Sequence, residues 1–238
     1  MLFPAIGRNA AASILVAAIC LLPLSRLPQS NETARQACPD APVEVEAASP
    51  QEHRLSCMAA RATVKMLGRC GIAAHRPLHV RVMPEVRHPR GGQPIFGLFD
   101  ISQERVLVTG YASAAVLVAG TPFSALPLPE FYQSFIVHEI VHGILHQNYK
   151  TQPKSHAAFE YPAYALQIEF LPAPMRDKFL DAFDLTPMRA SLVFSDTILF
   201  FDPYSFAARA YQHFKSTPDG CTHIRAILYG EAEFVAPH

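Results

Sequence analysis

The stretch Phe135-Ile136-Val137-His138-Glu139-Ile140-Val141-His142 decides how the rest of the chain is read. It carries the pattern H-E-x-x-H in a run without a helix breaker, and apolar positions continue on both sides at Phe131, Ile144 and Leu145. Residues four apart on an α-helix lie on one face, about 6 Å apart along the axis. Two imidazoles so placed can ligate one metal ion, and Glu139, one position on, can reach water held there as a general base. The helix, expected over Glu130–Gln147, is apolar nearly all round, with a polar strip of Ser134, His138, His142 and His146. Such a helix is buried, and buried imidazoles and a carboxylate need partners. One zinc ion, Zn2+, would satisfy them together.

A catalytic zinc site takes three protein ligands and keeps a fourth position open. His146 lies a further turn along, too far from His138 to share an ion, and suits the negative end of the helix dipole instead. No His stands where the metzincin pattern would require one after His142. In Phe159-Glu160-Tyr161-Pro162-Ala163-Tyr164-Ala165-Leu166-Gln167, Glu160 is the first carboxylate after His142. Glu169 is the second, and His156 is a third option.

His138, Glu139, His142 and Glu160, with Ala163 and Tyr164 trailing, resemble the gluzincin branch of zinc metallopeptidases, especially the small peptidase-MA-like and minigluzincin-like members. Asp202–Tyr211 and Gly220–Gly230 look similar to the later helical pair of such proteins, so the resemblance covers roughly residues 79–230. It implies a zincin-like fold, zinc held by His138, His142 and Glu160, Glu139 as the base, and hydrolysis of a peptide or protein substrate. Two departures stand out. Only 17 residues separate His142 from Glu160, and Tyr161 stands where a Gly often follows the ligand. Pro162 is costly inside a helix, which predicts Glu160 in or just before the first turn of a helix running to Leu171. A peptidase also needs a donor for the developing oxyanion. Tyr161, Tyr164, Tyr204, Tyr211, His213 and His223 are candidates, and none is preferred. The resemblance further implies an exposed strand that aligns substrate by backbone pairing, for which Ile95–Thr109 is the candidate.

The remaining chain fits this frame. Its 238 residues suit one domain, and 50% hydrophobic content is enough for one sizeable core. With 20 Lys+Arg against 20 Asp+Glu the net charge is zero, which excludes a chain-wide nucleic-acid footprint. Residues 1–30 read as a signal peptide or signal anchor: Arg8 precedes the apolar run Ala10–Leu24, and the first acid is Glu32. That run is shorter than the ~20 residues of a spanning helix, and an uncleaved anchor is the one membrane contact expected. Residues 31–50 read as a linker, and 51–238 as the zincin-like metallopeptidase domain. Outside the signal stand Cys38, Cys57, Cys70 and Cys221, an even number that fits two disulfides in a periplasmic or secreted protein. Cys57 and Cys70 are roughly 20 Å apart on a straight helix, which excludes that pair. Cys38–Cys57 with Cys70–Cys221, and Cys38–Cys70 with Cys57–Cys221, remain.

The predicted elements are a helix over Gln51–Leu67, a strand over His79–Val86, and a hairpin of Ile95–Phe99 and Arg105–Thr109. Helices follow around Glu160–Leu171, Pro174–Phe183, Pro203–Lys215 and Asp219–Tyr229, with Tyr111–Leu128 ambiguous between strand and helix. That order gives an α+β fold, a small mixed sheet with an active-site helix followed by a helical half. Two other function classes fit the same residues: a zinc-binding but inactive interaction module, and a structural envelope protein whose histidines serve packing.

Overall fold

A computed structural model describes residues 34–186, 194–216, 219–232 and 234. The candidate signal at 1–30 lies outside them. The H-E-x-x-H helix, α3, runs Leu128–His146, and every residue from Phe131 to Leu145 is buried. Pro129 starts it, where a missing N–H costs nothing. Asn148 ends it, donating its side-chain amide to the carbonyls of Ile144 and Ala73, both at 2.8 Å.

The helix lies against a five-stranded sheet. Its strands are β1 (Gln36–Ala37), β2 (Val43–Glu46), β3 (Leu78–Met83), β6 (Gly97–Asp100) and β7 (Arg105–Thr109), in the order β1-β2-β3-β7-β6. The central pairs β2–β3 and β3–β7 are parallel, and both edge pairs are antiparallel. A separate ribbon joins β4 (Val86–Arg87) to β5 (Pro94–Ile95). Val43, Val45, Leu78, Val80, Phe99, Val106 and Val108 alternate along the strands and are buried in one core with α1 (Pro50–Arg69) and α3. Glu46 and Arg81 pair at 3.1 Å on the opposite, wetter face.

The helical half follows. It contains α2 (Tyr111–Leu117), a 3-10 turn at Pro122–Ala125, α4 (His156–Phe170), α5 (Ala173–Leu180), α6 (Asp196–Phe201), α7 (Pro203–Ser216) and α8 (Gly220–Tyr229). The fold is thus the expected α+β, with a small mixed sheet ahead of helices. Among the described residues no helix is long and apolar enough to cross a membrane.

Several local expectations need correction. Within the stretch expected to be a linker, 31–50, both β1 and β2 pair into the sheet. The strand expected to reach Val86 ends at Met83, because Pro84 has no N–H for the ladder. Val86 donates instead to the Thr109 hydroxyl. Ile95 belongs to the β4–β5 ribbon, so the hairpin proper starts at Gly97. Tyr111–Leu117 is helical, and α5 stops at Leu180.

The largest shift concerns α4. It begins at His156, and Pro162 sits inside it. Ser155 caps the helix by accepting from Ala158 N at 3.1 Å, and Asp196 accepts from Ala157 N at 2.7 Å. Those two oxygens satisfy the first turn four residues earlier than expected, and the missing Pro162 N–H leaves only one helical bond unmade. Glu160 therefore lies one turn inside the helix.

The disulfides are Cys38–Cys57 and Cys70–Cys221, with Cα separations of 5.2 and 4.9 Å. This is the first of the two remaining pairings, and two disulfides are the usage of exported proteins. Helix α3 packs tightly on the sheet at Gly143, where an added Cβ would lie 2.7 Å from both methyls of the buried Leu78. Gly143→Ala should therefore destabilise the fold, by about 1–3 kcal/mol from overpacking. An exposed helical Gly→Ala would instead gain about 1 kcal/mol. Urea titrations read the sign, and an unchanged or raised midpoint would refute the close approach.

Candidate metal centre

Helix α3 presents His138 and His142 on one face, and α4 crosses it so that Glu160 meets both. His142 Nε2 lies 3.1 Å from His138 Nε2. Glu160 Oε2 is 3.1 Å from His138 Nε2, and Oε1 is 3.5 Å from His142 Nε2. Atoms bound at about 2.0–2.1 Å to one tetrahedral ion stand about 3.4 Å apart. The three side chains thus form one face of such a tetrahedron, and together they could hold a metal ion.

The surroundings prepare those atoms for the task. The His138 Nδ1–H donates to Gln167 Oε1 at 3.0 Å, which leaves Nε2 free to ligate. Gln167 Nε2 lies 3.5 Å from Ser134 Oγ, which itself donates to the Phe131 carbonyl at 2.8 Å. His142 is oriented by packing: its ring stacks on Phe159, with centroids 4.2 Å apart and planes 8° from parallel. Burial pushes the Glu160 carboxyl up, but His142 and His138 outweigh it and hold it well below the usual range. The carboxylate is therefore ionised, as a ligand must be.

Glu139 is buried beside the triangle. Burial pushes its carboxyl above the ordinary range, and His138 and His142 offset this only in part. The backbone N–H of Phe99 on β6 donates to it. Gly97 makes room, since an added Cβ would sit 2.7 Å from Glu139 Cγ. The same alternation exposes a backbone edge. Phe96 C=O accepts from Thr109 N at 2.8 Å, and Gly97 opposes Val108 in register. Gly97 therefore turns its N–H and C=O away from β7, toward the open side.

The alternatives to Glu160 lie elsewhere. Glu169 pairs with Arg176 and Lys215, at 3.6 and 3.5 Å. His156 is exposed at the start of α4 and meets Phe200. His146 faces Phe99 and Glu104 in the last turn of α3. Of the six oxyanion candidates, only Tyr164 and Tyr204 line the pocket that holds His138 and Glu139. Tyr161 points away, its hydroxyl 2.7 Å from His213 Nδ1. His223 packs there too, and burial with His213 nearby drives it down to about 4. Tyr211 carries Arg176 over its ring. Gln167 was not anticipated from sequence, although it stands two turns after Glu160 and so shares its face.

These contacts set the expected behaviour of variants. The purified protein should bind about one metal ion per chain, and His138→Ala should abolish stoichiometric binding. Gln167→Leu should lower affinity about 10- to 100-fold through loss of the His138 partner. Glu160→Gln should lose at least as much, and Glu169→Gln should change little. Chelator competition measures all four, and retention by Glu160→Gln with loss by Glu169→Gln would reverse the assignment.

No curated protein and no solved structure matches the chain. One family does, over residues 43–237, which takes in all of α3 and α4 and hence His138, Glu139, His142, Glu160 and Gln167. On that match the chain belongs to the Family of unknown function (DUF6639).

Proposed function

We propose that this protein is an exported zinc metallopeptidase of zincin-like, gluzincin type, acting on peptides or proteins. The observation that carries the reading is the triangle of two imidazole nitrogens and one carboxylate, with a buried glutamate at its side. Two His and one Glu form a donor set suited to zinc with a fourth position open, the hallmark of catalytic rather than structural sites. Zinc bound there would supply Lewis-acid chemistry, polarising a carbonyl and acidifying water.

The chain's own residues have distinct parts. His138, His142 and Glu160 hold the ion. Glu139 accepts a proton from the attacking water and passes it to the leaving amine; its raised proton affinity suits both transfers. The Phe99 N–H keeps that carboxylate aimed. The open Gly97 edge of β6 offers a donor and an acceptor to an extended peptide backbone. Tyr164 and Tyr204, on the pocket wall, are the hydroxyls available to a developing oxyanion. Two disulfides support export, to the periplasm or outside the cell, with residues 1–30 as the signal peptide or anchor.

Glu139→Gln is the decisive variant. It should retain zinc and lose peptide hydrolysis by about 10²- to 10⁴-fold, the usual worth of a general base. Gly97→Ala should also retain zinc yet lower kcat, because the new methyl displaces Glu139. Both are read with a broad peptide library and zinc stoichiometry on the same preparations. Stoichiometric zinc in a wild type that cleaves nothing in the library would leave a zinc-binding interaction module in place of an enzyme.

A further inference from the structure

A pocket of about 210 Å³ opens beside His138 and Glu139. Its walls are aromatic: Phe96 ahead of β6, Phe123 of the 3-10 turn, Phe131 and Phe135 of α3, Tyr164 of α4 and Tyr204 of α7. Apart from the tyrosines, His138 and Glu139 are the only titratable groups on its lining among the described residues. The rings brace one another. Phe96 meets Phe131 edge-on at 5.0 Å and Phe135 at 5.3 Å; Phe123 stacks on Phe179 at 4.6 Å and meets Tyr204 at 5.9 Å. Four separate elements and the segment before β6 thus build a preformed apolar recess against the candidate catalytic atoms.

We infer that this recess takes one large apolar side chain, best a ring, of the residue next to the bond that is cleaved. The inference rests on the peptidase reading above and adds a substrate class to it. Size supports a single side chain. An apolar cavity of about 150 Å³ suffices for a benzene, whereas whole drug-sized ligands take about 300 Å³ or more. Chemistry supports apolarity. A substrate side-chain carboxylate here would lie among rings and beside Glu139, with no lysine or arginine among the described lining residues to meet it and the metal already taken by the scissile group. A lysine would find only Glu139, whose carboxylate is committed to Phe99 and to proton transfer. A charge taken out of water without a partner is disfavoured, whereas a ring gains by leaving water and by edge-to-face contacts. Placement supports the role, because Gly97, whose backbone faces the open side, also lines the pocket.

The test separates this inference from hydrolysis by measuring binding. The zinc-loaded protein is titrated calorimetrically with small hydroxamates bearing a benzyl, isobutyl, methyl, carboxymethyl or aminobutyl group. The hydroxamate anchors on the metal and the group probes the recess. The benzyl compound should bind at least about 10-fold tighter than the methyl and both charged compounds, with isobutyl between. Tyr204→Lys puts a cation at the half-exposed rim and should shrink or reverse the preference for benzyl over carboxymethyl. Equal affinities, a charged favourite, or no binding by any member overturns the inference. A peptide library run in parallel reports on the peptidase reading. Benzyl preference without cleavage removes the enzyme and keeps the recess; cleavage indifferent to side chain does the opposite.

Discussion

Burial of a polar trio inside an otherwise apolar helix governs this molecule. Helix α3 is enclosed from Phe131 to Leu145, yet it carries two imidazoles and a carboxylate. Each would be costly in an apolar core without a partner. The fold answers from neighbouring elements: α4 brings Glu160 and Gln167, and β6 brings the Phe99 N–H. Much of the architecture can be understood as the means of delivering those groups. The crossing of α3 and α4 sets the ligand triangle, and the edge position of β6 sets the environment of Glu139.

Close approach is the second constraint. At two points a glycine stands where any larger residue would collide with a neighbouring side chain. Gly143 lets it settle on Leu78 of β3, and Gly97 lets β6 settle on Glu139. The first fixes the helix's height above the sheet. The second fixes how near the edge strand β6 can come to Glu139. A helix seated on β3 by a glycine and met by the edge strand β6 leaves little freedom for Glu139, as the proposed proton transfers would require.

The parts of the structure that were legible in the sequence are those encoded locally. H-E-x-x-H with flanking apolar residues gave α3, and the next carboxylate along gave Glu160. The hairpin strand Arg105–Thr109 and the helices α7 and α8 have their own periodicity. What was hidden depended on tertiary partners. Val43-Glu44-Val45-Glu46 alternates as a strand should, but only the neighbouring β3 reveals it as such within a Pro- and Ala-rich stretch. The start of α4 rests on Asp196, which lies 39 residues away from Ala157. The choice between two disulfide pairings required knowing that Cys38 lies against α1. Tyr164 and Tyr204 could not be separated from four other candidates, because convergence on one pocket leaves no spacing in the sequence. Gln167 was readable in principle, two turns from Glu160, and its role emerged only when His138 was seen to need a partner.

The Cys70–Cys221 bond makes everything between those residues a covalent ring. His138, Glu139, His142 and Glu160 all sit on it, as does the exposed connection between α3 and α4 around Lys150, Thr151, Gln152 and Lys154. A single cut in that connection by a protease would open the ring without releasing either piece. The two ligating helices would stay on one molecule, packed face to face, until a reductant reached the bond. In an oxidising compartment where proteases circulate, the nicked form can thus persist with His138, His142 and Glu160 still together.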